Sequence, residues 1–339
     1  MQKSFLSAFI LAGLLALTAM PLPADEGGVV RFATLPPGPG HPEGIAADTA
    51  GNIYAATFQF PAPGDTPFNV IHIFGRNGKL RATIPLPGVL PLGLAFDAFG
   101  NLFVADFGNG KVHKLTPPFT SASTPATTFN VCDGFLLGCG LNAMAFDENG
   151  DLYVSDSFGG RIFKIDLPFG PGAPVFFSED RLTPGSHGFP PFGANGLAFN
   201  AAGTALYIAN TADDRILKLN LDAAGAPTTL ETFAESINGA DGIIFDRTGR
   251  LWVAANQADE VVALNGNGRI VDRRGSFDGI GRDGAARGLL FPASIVLSQG
   301  NIFVTNAALA LTPAVGDEPE EDVTTFTLSR IPLEGHEKH

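Results

Sequence analysis

Positive charge is scarce in this chain. It carries 21 Lys and Arg against 34 Asp and Glu, a formal net charge of −13 over 339 residues. No basic cluster interrupts that acidity, so phosphate backbones are repelled and nucleic acid is disfavoured as a partner; an anionic membrane surface finds nothing to hold either. Cysteine is nearly absent: Cys132 and Cys139 are the only two, and two lone thiols do not make a zinc site. No segment sustains a helical period, which removes the α/β architectures. Nothing resembles a Ser-His-Asp triad, a phosphate-binding loop or a haem motif.

What is abundant is Gly (42), Pro (26) and Phe (29), in a chain that is 45% hydrophobic. Turn formers beside alternating apolar runs point to many short strands, with ample apolar content for a core. The N-terminus reads as a secretory signal over residues 1–24. Lys3 precedes the apolar stretch Phe5 to Met20, which is short for a bilayer span. An uncleaved anchor is the alternative. No cysteine follows the stretch, so a lipid-anchored form is not expected. Export, to the periplasm or the medium, permits a Cys132–Cys139 disulfide, which closes a small loop and contributes roughly 2–3 kcal/mol.

One unit recurs six times. It reads EGIAADTAGNIYAATF from Glu43, LGLAFDAFGNLFVADF from Leu92, NAMAFDENGDLYVSDS from Asn142, NGLAFNAAGTALYIANT from Asn195, DGIIFDRTGRLWVAAN from Asp241 and ASIVLSQGNIFVTNA from Ala293. Each copy is an alternating strand, a turn, and a second alternating strand. In four copies the turn is Asp-x-x-Gly, as at Asp48, Asp97, Asp147 and Asp246. There Asp caps backbone amides and Gly takes positive φ, so these aspartates are structural. A third strand (Lys111 to Leu115 is one) and a weaker fourth (Arg81 to Leu86) complete a four-stranded blade. Six such blades predict an all-β, six-bladed β-propeller over residues 25–339 as a single domain. Val29 to Leu35 precedes the first repeat and is expected to close the ring as outer strand of the last blade. His72 and His113, on outer strands, are expected at the surface.

The residue that opens each copy runs Glu43, Leu92, Asn142, Asn195, Asp241, Ala293. In a propeller the first strand of a blade is innermost, so these positions ring one mouth of the central channel. Four carry side-chain oxygens. Packing alone favours one residue type in every blade, as the neighbouring Gly and Phe columns show; capping of the turn backbone is the other reading. Two carboxylates and two amides suit a hard divalent cation, Ca²⁺ above all, which takes about 6–8 oxygens and leaves positions for water or substrate. No His or Cys joins the ring, which disfavours zinc.

On these residues the sequence resembles the senescence marker protein-30/gluconolactonase/paraoxonase group of six-bladed propellers. That resemblance implies a catalytic divalent metal held by Glu43, Asn142, Asn195 and Asp241, which match the group's Glu, Asn, Asn, Asp set in identity and order. It implies a metal-dependent hydrolase of lactones or esters acting on a small molecule, with Asp241 as base or nucleophile. The sugar-lactonases of the group carry Arg two residues before the first Asn, where this chain has Gly140, and the paraoxonase histidine pair has no equivalent. His41 and His187 are candidate proton shuttles at the same mouth. Two other functions fit the repeat: a non-catalytic NHL-like platform for a protein or glycan, to which GNLFVADFGNGKVHKL is equally suited, and a lyase using metal and His. A closed propeller is expected to be a monomer.

Overall fold

The computed structural model describes residues 28–38, 40–60, 64–66, 68–166, 173–185, 190–311 and 318–333. The expected signal segment and His187 lie outside them. From β2 onward the chain order of strands follows the blades. Blade 1 is β1's successor set, β2 (His41–Ala47), β3 (Ile53–Phe58), β4 (Phe68–Phe74) and β5 (Leu80–Pro87), with β1 itself spanning Val30–Thr34. Blade 2 is β6 (Pro91–Phe96), β7 (Leu102–Asp106), β8 (Lys111–Leu115) and β9 (Thr127–Asn130). Blade 3 is β10 (Leu141–Phe146), β11 (Leu152–Asp156), β12 (Arg161–Ile165) and β13 (Val175–Ser178). Blade 4 is β14 (Ala194–Phe199), β15 (Ala205–Asn210), β16 (Arg215–Leu221) and β17 (Pro227–Glu235). Blade 5 is β18 (Ala240–Phe245), β19 (Leu251–Ala255), β20 (Glu260–Leu264) and β21 (Ile270–Arg274). A hairpin, β22 (Phe277–Ile280) and β23 (Ala286–Gly288), precedes blade 6, whose own strands are β24 (Pro292–Ser298), β25 (Asn301–Asn306) and β26 (Thr327–Pro332). Among the described residues, the hairpin is the one paired element that the repeat did not foretell.

The expected closure is present. Sheet order in blade 6 is β1-β26-β25-β24, so the N-terminal strand is outermost. Ala33 pairs with Leu328 and Thr34 with Thr327. First and last segments of the chain thus share one sheet, and the ring leaves no blade unpaired at its seam.

Each blade buries both faces against its neighbours. Ile71, Ile84 and Leu102 lie between blades 1 and 2. Trp252, Val261 and Ile302 lie between blades 5 and 6, and Ala33, Phe74 and Phe303 between blades 6 and 1. The Asp turns hold the blades' inner hairpins. Asp48 Oδ1 accepts from Asn52 N at 2.8 Å, Asp147 Oδ1 from Asp151 N at 2.9 Å, and Asp246 Oδ2 from the Trp252 indole at 2.9 Å. These carboxylates are structural, as their turn sequence required.

The surface placement of two histidines is corrected. His72 and His113 are buried, and their Nδ1 atoms meet Thr83 and Thr128 hydroxyls at 2.9 Å. A third strand is sandwiched between adjacent blades, so its side chains face protein on both sides. Burial pushes the His72 pKa down to about 4.

Closure by β1 makes a stability prediction. Ala33→Asp puts an unpaired carboxylate into the layer between blades 6 and 1, and urea melts should show a loss of about 3 kcal/mol. Thr34→Asp, on the exposed side of the same strand, should stay within about 0.5 kcal/mol. Equal effects at the two positions would show that β1 is not a buried clasp.

Candidate functional site

The six innermost strands β2, β6, β10, β14, β18 and β24 neighbour one another in a closed circuit. Glycine sets how near they come. A Cβ on Gly44 would overlap the Leu92 carbonyl oxygen, one on Gly93 that of Asn142, and one on Gly196 that of Asp241. Each of these glycines follows a ring residue and rests on the backbone of the next ring residue. Any side chain there would push adjacent blades apart at the axis.

That close approach brings the ring together. Glu43, Asn142, Asn195 and Asp241 line a single cavity, with Leu92 and Ala293 completing the six positions and His41 beside them. The cavity is small, about 40 Å³, which suits an ion with one or two waters. Asn142, Asn195 and Asp241 are all at least 95% buried, at 4%, 3% and 5% exposure.

A second ring, not read from the sequence, supports the first. The residue after the end of the second strand's core runs Phe58, Phe107, Ser157, Thr211, Asn256, Ala307. It is polar in blades 3, 4 and 5, where the ring residue beside it is Asn142, Asn195 or Asp241. Ser157 Oγ donates its one proton to the Ala194 carbonyl at 2.8 Å, so it can only accept from Asn142 Nδ2, 3.1 Å away. Thr211 Oγ1 does the same, donating to Ala240 O at 2.7 Å and accepting from Asn195 Nδ2 at 2.9 Å. The amide nitrogens are thus anchored on the blade side by hydroxyls whose proton is spent. Asn256 Nδ2 donates to Asp241 Oδ2 at 3.0 Å. The register of these residues, one per copy, was visible in the repeat, but each sits where a strand simply ends.

Three buried oxygens at this cavity have no hydrogen-bond partner: Glu43 Oε2, Asp241 Oδ1 and Asn256 Oδ1. All three are acceptors, and among the described residues no Lys or Arg lines the cavity. Burial raises the Glu43 pKa well above the usual carboxylate range, and the charge of Asp241 raises it further. Burial pushes Asp241 up to about 7, against hydrogen bonds from Asn256 and Asn195 that pull the other way. Lone pairs without donors, from groups that repel one another when ionised, are what a hard cation neutralises. The donor set fits such an ion. Among the described residues no three His, Cys, Asp or Glu side chains form a group, and the set here is two carboxylates completed by amides.

Of the two candidate shuttles, His41 is at the cavity. Its Nδ1 lies 2.8 Å from the Ala307 carbonyl, which can only accept, so Nδ1 carries the proton and Nε2 a lone pair. Burial lowers its pKa and keeps it neutral. The Cys132–Cys139 disulfide is formed, with Cα atoms 6.3 Å apart, just before β10.

The comparisons follow the geometry. The family model for the SMP-30/gluconolactonase/LRE-like region matches residues 192–274, which span blades 4 and 5. The chain resembles that group. Similar solved structures include a luciferin-regenerating enzyme (16% identity, 87% of this chain and 92% of that one, TM-score 0.65). Regucalcin from Agrobacterium tumefaciens, titled a calcium-binding protein, aligns at 18% identity over 89% and 92% of the two chains, TM-score 0.60. A gluconolactonase from Xanthomonas campestris aligns at 14% identity over 90% and 89%, TM-score 0.58. At these identities they show the β-propeller fold alone. No curated protein matches the sequence.

The buried carboxyls make a pH prediction. Between the unfolded Asp value of 3.8 and about 7 the folded chain retains a proton that the unfolded chain releases. Unfolding therefore becomes easier as pH rises through that window, and Glu43 adds to the effect. Lowered pKa values at His41 and His72 push the other way between about pH 4 and 6.5, so the comparison is with Asp241→Asn: in chelator-treated protein the melting temperature of the wild type relative to that variant should fall from pH 5 to pH 8. Parallel profiles for the two proteins would show that Asp241 does not sit in a buried carboxyl pair.

Proposed function

We propose that this protein is an exported, divalent-cation-dependent hydrolase of lactones or related esters, with Ca²⁺ the favoured ion. The observation that carries the reading is the trio of unpartnered buried oxygens on Glu43, Asp241 and Asn256 around one cavity. Glu43, Asn142, Asn195 and Asp241 would hold the ion, with Asn256 as a further oxygen donor. When bound, the ion supplies Lewis-acid polarisation of the ester carbonyl and charge stabilisation of the developing oxyanion. The similarity to gluconolactonases over blades 4 and 5 supports the reaction class.

The chain's own residues do the rest. Asp241 Oδ1 faces the cavity without a partner, placed to take a proton from a water as its oxygen bonds to the acyl carbon. The same proton passes to the alcohol oxygen as the acyl C–O bond breaks, so hydrolysis balances with one water consumed. Asn256 holds the other carboxylate oxygen and fixes the plane of attack. Neutral His41, with Nε2 free of the Ala307 bond, is a second proton acceptor at the same wall. The disulfide and the N-terminal apolar segment support an extracytoplasmic enzyme.

Calcium titration tests the reading. Micromolar to millimolar Ca²⁺ should raise the melting temperature of chelator-treated protein at pH 8. Asp241→Asn should abolish that rise, lower turnover of a lactone or aryl ester by about 10³-fold, and itself stabilise the metal-free form by removing one of two like charges. Ser157→Ala releases the Asn142 amide and should weaken calcium affinity about 10–100-fold by calorimetry, while also lowering the stability of the metal-free form by about 1–3 kcal/mol because the Ala194 carbonyl loses its donor. If no divalent cation shifts the melt, the hydrolase reading fails and a binding platform takes its place.

A further inference from the structure

The walls above the oxygen donors are apolar. Phe58, Leu92, Phe192, Phe291 and Leu309 line the cavity, and His41 is the polar side chain there outside the donor set and Asn256. From Phe58 and Phe192 the apolar surface continues outward. Phe58 meets Phe60 at 5.0 Å between ring centroids, and Phe60 meets Phe135 at 5.7 Å. On the other side Phe192 stacks on Phe158 at 5.8 Å, and Phe158 meets Phe107 at 5.5 Å. The run ends on the disulfide loop, where Leu136 and Leu137 are 83% and 76% exposed. Phe60 is 50% exposed.

Gly140 explains how the rings lie there. A Cβ at Gly140 would come within 2.6 Å of Phe107 and 3.0 Å of Phe158. The space a polar side chain would occupy, two residues before Asn142, is filled by aromatic carbon. Among the described residues, the ring contacts along this path are aromatic carbon, with no hydroxyl, amide or guanidinium between them to meet the hydroxyls of a sugar ring. Buried polyol groups without partners are costly, whereas alkyl carbon on aromatic faces is favourable.

Resting on the hydrolase reading above, we infer that the substrate is an ester or lactone bearing an extended alkyl or aryl group, and not a polyhydroxylated sugar lactone. The scissile group sits at the oxygen donors, in a space of about 40 Å³ that cannot take a chain. The chain lies over the partly exposed rings of that packed cluster, Phe192, Phe158, Phe135 and Phe60, out to Leu136 and Leu137. Exposed leucines on a loop pinned by a disulfide hold an apolar surface at the mouth that a monomer otherwise has reason to avoid.

The test uses the calcium-loaded full chain and two readouts. The first is kcat/KM for p-nitrophenyl esters from acetate to decanoate, with glucono-δ-lactone alongside. The second is calorimetric affinity for acetate, hexanoate, decanoate and gluconate. Each added methylene should raise kcat/KM and affinity about two- to fourfold until the groove is filled, the upper bound being full burial of a CH₂. Gluconate and glucono-δ-lactone should be the weakest of each set. Leu136→Ser/Leu137→Ser should flatten the dependence at the long-chain end. Phe99→Ser, which removes another exposed aromatic (81%) from the β6–β7 turn, should leave the slope intact. Turnover without chain-length dependence, or preference for glucono-δ-lactone, overturns this inference and leaves the hydrolase standing. Chain-length-dependent binding without any turnover supports the groove and removes the hydrolase. Loss of the slope in Phe99→Ser would assign it to general surface hydrophobicity and overturn the inference.

Discussion

Two carboxyl groups are buried at the propeller axis with no Lys or Arg beside them among the described residues, and much of the structure is arranged around that cost. Glu43 comes from blade 1 and Asp241 from blade 5. Neither would be held near the other by local structure, because nearly the whole ring of sequence separates them. Burial and mutual repulsion raise both pKa values. Asn256 donates to one oxygen of Asp241, and Asn195 also pulls its pKa down, but both are neutral amides. Such a pair is neutralised either by a retained proton or by a cation, and above about pH 7, where Asp241 gives up its proton, the cation proposed above takes that place.

The scaffold tolerates this because its stability resides elsewhere. The apolar layers lie between blades, away from the axis, and the seam of blade 6 ties Val30–Thr34 to the last strand. Function and stability are thereby separated in radius. The axis can hold polar groups in an unfavourable state while the inter-blade layers and the Asp turns keep the blades in register. The glycines beside the ring connect the two regimes, since they set the distance at which donors from different blades meet.

The two rings act as one device. The inner ring carries the oxygens, and Ser157 and Thr211 decide which end of each amide faces inward. Both hydroxyls spend their proton on the carbonyl of the next blade, so the orientation of a donor in blade 3 depends on the backbone of blade 4. Apolar blades treat the same two positions differently: Leu92 with Phe107 and Ala293 with Ala307 build walls instead of donors. Polar and apolar sectors of the mouth therefore follow from which residue pair each blade carries, and the aromatic sector lies on blades 1 to 3.

The period of the repeat was enough to determine the number of blades, the clasp strand, the structural role of the turn aspartates and the four residues of the inner ring. Those features are carried by local alternation and by position within a copy, which any chain order preserves. The second ring shared that register but was hidden, because a polar residue at a strand end is ordinary until the groups across from it are known. His72 and His113 were misplaced because an outer strand's exposure depends on the blade packed against it. Only the tertiary structure decided that Glu43 and Asp241 meet, that three of the oxygens there lack partners, and that phenylalanines distant in sequence line one path to them. Those facts depend on how closely six separate strands approach one axis, a distance set by contacts between blades and not by any one of them.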